Sequence, residues 1–260
     1  MDGSLLRAHG LAFREVNQLV RAEIAKGHTR IRVEGVEGQY YIGAGLTEAV
    51  EILVEGTPGN DLAVFMGRAG VGPTIRLSGS AQDNVANTMN GGTIVIPGSA
   101  GSVVGYGMRG GRVFVGGDVG ERAGIHMKGL PTFAPLLVVG GRARDFLAEY
   151  QAGGLIVVLG LGGDAARPIV GDYFATGQHG GRVFLRASPL DLHRHGIETA
   201  PREATEADRG DLAEAVRAWG SALGRSDEAE RALAEGPWTL YAPRAAGGYG
   251  TQYVRFRYHD

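Results

Sequence analysis

The sequence of 260 residues contains no cysteine. This absence excludes disulfide bonds, thiolate ligands for zinc or iron–sulfur clusters, and cysteine nucleophiles. Proline is not in excess and there is no Gly-X-Y period, so a collagen-like chain is excluded as well. The formal net charge of −2 gives no support for binding to nucleic acid or to a membrane surface. We therefore expect neither kind of partner.

Long hydrophobic runs are also missing. The longest apolar run falls well short of the roughly 20 residues that a membrane-spanning helix needs, and no signal peptide is visible. These two absences predict a cytoplasmic protein.

Glycine, in contrast, is abundant, with 45 residues in the chain. The stretch 91–117 contains two Gly-Gly pairs, and each pair opens a short apolar segment. The same phrase returns twice further along, so the four pairs are Gly91–Gly92, Gly110–Gly111, Gly153–Gly154 and Gly180–Gly181. Internal repetition at this period is typical of a solenoid. Glycine suits the corners of such a fold because a Cβ would clash there, and we expect the same role for Gly105 and Gly107.

The strand centres repeat regularly. They lie near Ile75, Ile94, Val113, Leu137, Ile156 and Val183, which gives spacings of 19, 19, 24, 19 and 27 residues. A coil of about 19 residues suits three short strands and three turns per circuit, with coils stacked through parallel ladders and apolar side chains inside. The longer spacings predict insertions at 128–135 and 162–174.

Apolar residues at helical spacing occur on both sides of the repeats. The pattern predicts an N-terminal helix over 12–26 and helices over 208–235, the second of which runs from 227 to 234 after Ser226 as N-cap. Early strands are predicted at 30–33 and 39–42, and they are followed by apolar runs at 52–54 and 62–65. Segments 238–241 and 253–258 alternate like edge strands. The whole chain, 1–260, is thus predicted to be a single domain, with the β-helix at about 35–190 and a helical cap and tail at about 200–260.

These residues carry a resemblance to a known family. The run GRAGVGPTIRLSGSAQDNVANTMNGGTIVIPG…GYGMRGGRVFVGGDVGERAGIHMKG resembles the GXGXG domain at the C-terminus of the glutamate synthase large subunit. The domain also occurs in one of the subunits of formylmethanofuran dehydrogenase and in split relatives of glutamate synthase. The resemblance implies an all-β fold, a right-handed parallel β-helix, without catalytic residues, cofactors or metals of its own.

The resemblance also implies partners. They are amidotransferase-like and FMN-binding synthase-like subunits, and the chain is then a structural or assembly subunit of a glutamate-synthase-like oxidoreductase complex in glutamate biosynthesis. The residues expected to face a partner are Arg109, Arg112, Asp118, Glu121 and Arg122. The sequence specifies neither the partners' identity, nor the substrate of the complex, nor the oligomeric state, and it is compatible with a homo-oligomer.

An alternative function class stays open at this point. Asp118, Glu121, Arg122 and His126 form a charged turn that is similar to the paired carboxylates of carbohydrate-cleaving β-helices. On that hypothesis the chain is a freestanding enzyme or a carbohydrate-binding protein whose site is this corner.

Two short motifs are similar to ligand-binding motifs, but we expect neither of them to bind a ligand. The residues from Gly105 to Gly110 match GxGxxG, but these glycines precede a strand, whereas the dinucleotide fingerprint requires a helix there. His193 and His195 have metal-like spacing without a third ligand nearby, so a solvated loop is the favoured interpretation.

Overall fold

Stacked parallel strands form the main ladder of this protein. The computed structural model describes residues 3–129, 133–162 and 167–244. In chain order the elements are β1 (Gly3–Arg7), α1 (Phe13–Ala25), β2 (Arg30–Glu37), β3 (Glu51–Thr57), β4 (Gly70–Leu77), β5 (Asn90–Ile96), β6 (Gly110–Val115), β7 (Leu136–Val139), β8 (Ala152–Val158), β9 (Gly180–Leu185), a short 3₁₀ helix (Leu192–Arg194), β10 (Thr199–Arg202), α2 (Glu206–Leu223), α3 (Ser226–Ala234) and β11 (Thr239–Pro243).

Strands β1 to β9 pair in chain order and in parallel, so each coil adds one strand to the same sheet. The side chains at one register position point inward and stack without exposure to solvent. This column contains Ile31, Ile52, Ile75, Ile94, Val113, Leu137, Ile156 and Val183. The predicted strand centres and the predicted β-solenoid with flanking helices are thereby confirmed.

The prediction of three strands per coil is wrong. Each coil contributes one strand to the sheet, and the predicted strand at 39–42 runs into a series of turns. The apolar run 62–65 likewise lies in turns. Both segments bury an apolar side chain, Ile42 and Leu62, and that burial resembles a strand in the sequence although the backbone is not extended.

Those turns repeat in every coil with one unusual backbone pattern. The first, third and fifth residues of five-residue segments all have positive φ, in the left-handed region. The segments are 41–45, 61–65, 84–88, 103–107, 122–126, 146–150 and 173–177. We call their common surface the turn face.

Alternating hydrogen bonds hold the turn face together. The amide of Gly105 donates to the carbonyl of Val85 in the preceding coil, at 2.8 Å, whereas the amide of Val103 donates to Glu121 in the next coil, at 2.7 Å. Every turn segment between two coils is therefore bonded to both neighbours. The first, third and fifth amides of such a segment are thereby paired with carbonyls of the neighbouring coils.

The residue that follows each turn segment forms a second inward column, and this column changes character along the chain. All of its members are buried. The first five are apolar, namely Leu46, Met66, Met89, Met108 and Met127, and the last two are Gln151 and Gln178. The Gln178 amide donates to the Gln151 side chain at 2.9 Å, and the Thr199 hydroxyl donates to Gln178 at 2.6 Å. This buried polar chain joins the last coils to β10.

The N-terminal end extends further than the sequence predicts. The parallel ladder begins at Gly3 in β1, before the predicted start near residue 35. The predicted helix over 12–26 is confirmed as α1, which buries Val16 and Val20 against the end of the core. Because β1 is short and is separated from β2 by a helix, it lacks the repeat spacing that reveals the later strands.

The C-terminal helices cover the outer face of the sheet. Trp219 in α2 is fully buried there, and its indole N–H donates to the carbonyl of Val115 at 2.8 Å. The outward register position holds Arg32, Leu53 and Arg76 in β2 to β4, and Arg76 donates a hydrogen bond to the carbonyl of Ala222 in α2 at 3.0 Å. From Val95 in β5 onward this position is apolar and packs against the helices.

The predicted helical region over 208–235 is two helices, because Gly224 ends α2 in the left-handed conformation with φ of 68°. Ser226, predicted as an N-cap, is the first residue of α3. The segment 238–241 was predicted as an edge strand, but β11 pairs with β9 on one side and β10 on the other. The strand predicted at 253–258 lies outside the described residues. No helix in the described part of the chain is long and apolar enough to cross a membrane.

A buried carboxylate anchors α2 to the solenoid. Asp208 accepts hydrogen bonds from Arg182 of β9 at 2.6 Å and from Arg202 of β10, and the hydroxyl of Thr205 donates to it at 2.7 Å. Burial alone would raise the pKa of Asp208, but the hydrogen bonds from Thr205, Arg182 and Arg202 outweigh it and hold that pKa well below its usual range.

Replacing the anchor, Asp208→Asn, should lower the free energy of unfolding by about 2–3 kcal/mol at neutral pH, since hydrogen bonds to a charged group are lost. Because the pKa of Asp208 is lower in the folded than in the unfolded chain, its ionised carboxylate stabilises the folded state at pH values above the unfolded-state pKa of about 4. This contribution is lost as the pH falls toward the folded-state pKa. The difference between wild type and variant, measured by urea unfolding, should therefore shrink between about pH 6 and about pH 3. A difference that stays constant over this range contradicts the anchor.

The glycine pairs generate a second prediction. Gly111 has φ of 89°, and a Cβ there would lie 2.5 Å from Cε of Met89 and 2.8 Å from the carbonyl oxygen of Gly92. Gly38 has a similar φ of 84° with nothing within 4 Å of its Cβ position. Both Gly111→Val and Gly38→Val should strain the backbone, because valine rarely adopts positive φ. Gly111→Val should lower the free energy of unfolding by about 1–3 kcal/mol more than Gly38→Val, because only there does the new side chain collide with neighbouring atoms. Equal melting temperatures for the two variants in thermal unfolding would disprove the steric contribution.

Candidate interaction surface

Aromatic rings line up across successive coils on the turn face. Tyr106, His126 and Tyr150 come from three consecutive coils. The Tyr106 and His126 rings meet edge to face with centroids 5.8 Å apart, and His126 stacks on Tyr150 at 5.2 Å with an interplanar angle of 8°. Left-handed backbone at residues 126 and 150 directs these side chains out of the fold.

A second row runs beside the first. The Arg122 guanidinium lies 4.2 Å from the centre of the Phe146 ring, and Phe146 stacks on Tyr173 at 4.8 Å. Arg122 also pairs with Glu149 at 3.3 Å. This row occupies the first position of the turn segment in three consecutive coils, whereas in the first row Tyr106 is the fourth residue of its segment and His126 and Tyr150 are the fifth of theirs. We call the six residues Tyr106, Arg122, His126, Phe146, Tyr150 and Tyr173 the turn-face strip.

The three tyrosines of the strip are exposed to solvent, and Arg122, His126 and Phe146 are partly buried. The exposed fraction is 38% for Tyr106, 45% for Tyr150 and 59% for Tyr173. Exposed aromatic side chains at this density, with an arginine among them, are typical of protein–protein interfaces.

Polar side chains build a different surface, between the sheet and the turn face. Ser99 accepts a hydrogen bond from the amide of Asp118 at 3.1 Å, and Asp118 accepts one from the amide of Arg142 at 2.8 Å. A parallel series runs beside it, in which Asp83 accepts from the amide of Ser102 at 2.7 Å. These side chains act as rungs that bond one coil to the next.

Each rung depends on a glycine in the next coil. A Cβ on Gly117 would collide with the Ser99 hydroxyl, and one on Gly141 would collide with the Asp118 carboxylate. The signal in the sequence is a serine or aspartate followed 18 residues later by glycine, as in Ser99 and Gly117, and the spacing lengthens to 23 where a coil carries an insertion. This pairing was not predicted from the sequence.

The polar rungs border a concavity of about 640 Å³. It contains Asp118 and Glu121 of the predicted charged turn, together with Asp145 and Arg167. Asp118 is engaged by the amide of Arg142 and lies 3.9 Å from Arg167, so its carboxylate already has partners. His126 belongs instead to the turn-face strip. The structure thus keeps the two carboxylates of the carbohydrate hypothesis in one concavity and places Arg122 and His126 in the strip.

The five residues predicted to face a partner do not share one surface. Arg122 lies in the strip. Arg109 lies between turn segment 103–107 and the first residue of β6, Gly110. Asp118 and Glu121 line the polar concavity, whereas Arg112 lies on the outward side of the sheet, where it borders α2. They lie close in the sequence, but the coil distributes them around its circumference.

The predicted corner glycines occupy two kinds of position. In each Gly-Gly pair the second residue has positive φ, between 74° and 89°, and a Cβ on either residue would meet neighbouring atoms at close range. These second residues are Gly92, Gly111, Gly154 and Gly181, and the first are Gly91, Gly110, Gly153 and Gly180. Gly105 and Gly107 belong instead to a turn segment and have φ of 73° and 57°.

The two short motifs are placed as follows. A strand, β6, begins at the last glycine of the GxGxxG match, so no helix N-terminus meets the loop. His193 lies in the 3₁₀ helix, and His195 is buried against the ring of Tyr241 at 5.7 Å. Within residues 3–129, 133–162 and 167–244, no group of three metal-ligating side chains comes together.

The fold and its surfaces define a class of protein, a parallel β-solenoid with repeated left-handed turns on one face and its own helices on another. The chain matches the family model described as "GXGXG motif" over residues 29–235, and it belongs to that family, which is linked to glutamate-synthase-like proteins. A protein of Methanocaldococcus jannaschii, "Uncharacterized protein MJ1350", is 37% identical over 261 residues, covering 98% of this chain and 97% of that protein.

Proposed function

We propose that this chain is a non-catalytic assembly subunit of a glutamate-synthase-like complex. In this proposal it holds an amidotransferase-like subunit and an FMN-binding synthase-like subunit in fixed positions. Family membership supports the type of complex, and the surface of the solenoid supports the mode of action.

One observation carries the proposal: the chain's own helices cover one broad face of the solenoid and leave the other uncovered in the described residues. The outer face of the sheet is covered by α2 and α3, which bury Trp219 and Phe184 there. The turn face has no such cover in the described residues and instead exposes aromatic rings on successive coils. Large exposed aromatic patches on a protein typically mark a surface that binds another protein.

The backbone makes that face suitable for holding partners. Each turn segment between two coils is hydrogen bonded on both sides, and the side chains beneath it, such as Val104 and Leu147, are fully buried. A surface supported in this way changes little on binding, so ordering it costs little free energy. Two partners bound to one such solenoid would keep a constant separation.

Reconstitution tests the proposal. The amidotransferase-like and FMN-binding chains of the same organism are purified and mixed with and without this chain, and glutamine-dependent synthase activity is measured. We expect activity only in the three-component mixture, with the flavin absorbance in the fraction of the FMN-binding chain and none in this one.

Two results would overturn the proposal. One is full synthase activity in the mixture that lacks this chain. The other is turnover of a substrate by this chain alone at an ordinary enzymatic rate, about 1 s⁻¹ or faster.

A further inference from the structure

We propose that the turn-face strip binds an acidic surface of a partner subunit, whose carboxylates pair with Arg109 and Lys128. This inference rests on the proposed function and specifies where and by what chemistry the partner binds. It assigns a docking role to the strip, and it separates this surface from Arg112 and Asp118, which lie elsewhere on the coil.

The first step is the composition of the strip. Tyrosine and arginine are among the residues most enriched at positions that contribute strongly to binding, and they act best when they are rigid before the partner arrives. The rings of the strip are already stacked, with Phe146 on Tyr173 and His126 on Tyr150, both within 10° of parallel. Their conformational entropy is therefore largely lost in the free chain.

The second step is the charge around the rings. Glu149, an acidic residue beside the strip, is mostly buried and is neutralised by Arg122. Arg109 and Lys128 lie at the same position of consecutive coils, directly after the second inward column, and their side chains are exposed. Neither has an acidic partner among the described residues. Two adjacent cations without counter-charges favour an acidic partner, since like charges across an interface are costly.

The third step is the choice between protein and nucleic acid. Aromatic rings beside cations also occur in proteins that bind single strands. Such proteins neutralise many phosphates, however. Beside the strip lie only two cations without an acidic partner among the described residues, Arg109 and Lys128, and the carboxylate of Glu121 lies 3.8 Å from Arg122. The chain as a whole has a net charge of −2. A protein surface with a few carboxylates and apolar side chains fits this composition better.

The experiment measures binding of the separate amidotransferase-like and FMN-binding chains to the wild type and three variants of this protein by biolayer interferometry. The charge variant is Arg109→Glu with Lys128→Glu, and the ring variant is Tyr106→Ala with Tyr150→Ala. The control is Arg209→Glu with Arg231→Glu, which changes the net charge equally but on the exposed sides of α2 and α3. Circular dichroism and thermal unfolding confirm that every variant folds.

For one of the two partners we expect the charge and ring variants each to raise Kd by about tenfold or more, while the control leaves Kd within about twofold. Raising NaCl from about 50 mM to about 500 mM should slow association of the wild type and leave that of the charge variant nearly unchanged.

The outcomes are distinguishable. If the wild type binds neither partner chain, the proposed function fails and this inference fails with it. If the wild type binds but both strip variants bind equally well, only this inference is wrong. Loss of binding in the ring variant alone refutes the acidic partner. Tighter binding of a labelled single-stranded oligonucleotide than of either partner chain, at physiological salt, refutes the choice of a protein.

Discussion

Hydrogen bonding between coils through left-handed turns is the constraint on which the rest of this structure depends. In an ordinary parallel β-helix, extended strands satisfy the backbone on every side of the coil. Here one side uses segments in which every second residue has positive φ, and the amides alternate between the preceding and the following coil. The chain can therefore turn sharply on that side while the first, third and fifth amides of each segment between two coils stay bonded to the neighbouring coils.

This geometry determines which side chains fit. The third residue of each segment points inward and has positive φ, so it is always glycine or alanine, as in Gly105 and Ala148. The second residue points into the core and is large in every segment except 122–126, as in Leu147, whereas Ala123 takes this position in 122–126. The first and fifth residues project outward and are free to vary, and in the later coils they are Arg122, Phe146 and other members of the strip. The surface available for binding thus follows from the backbone pattern.

Glycine serves two further purposes in the same coils. In the Gly-Gly pairs it lets the chain enter the strand, and at Gly117 and Gly141 it makes room for side chains of the preceding coil that accept a hydrogen bond. The C-terminal end uses a different solution. The antiparallel strands β10 and β11 end the ladder, and Pro201 in the edge strand β10 has no N–H to offer to the strand of another chain.

The strands could be predicted from the sequence because their period is visible. The Gly-Gly phrase and the apolar centres give their positions from Ile75 to Val183 directly. The turn face could not be predicted, since its left-handed positions are filled by residues such as Val103 and Tyr173 that rarely adopt positive φ. Their conformation is imposed by the neighbouring coils. The strip was missed for the same reason, because its members are far apart in sequence and meet only through stacking.

The most direct test of the left-handed turns as structural elements is amide hydrogen exchange of the free chain, followed residue by residue. We expect the amides of the turn segments at 103–107 and 122–126 that bond to neighbouring coils to exchange as slowly as those of β5 and β6, although they lie beneath an exposed surface. If these amides exchange as fast as those of an exposed loop while β5 and β6 are protected, the left-handed turns are not structural elements of the coil.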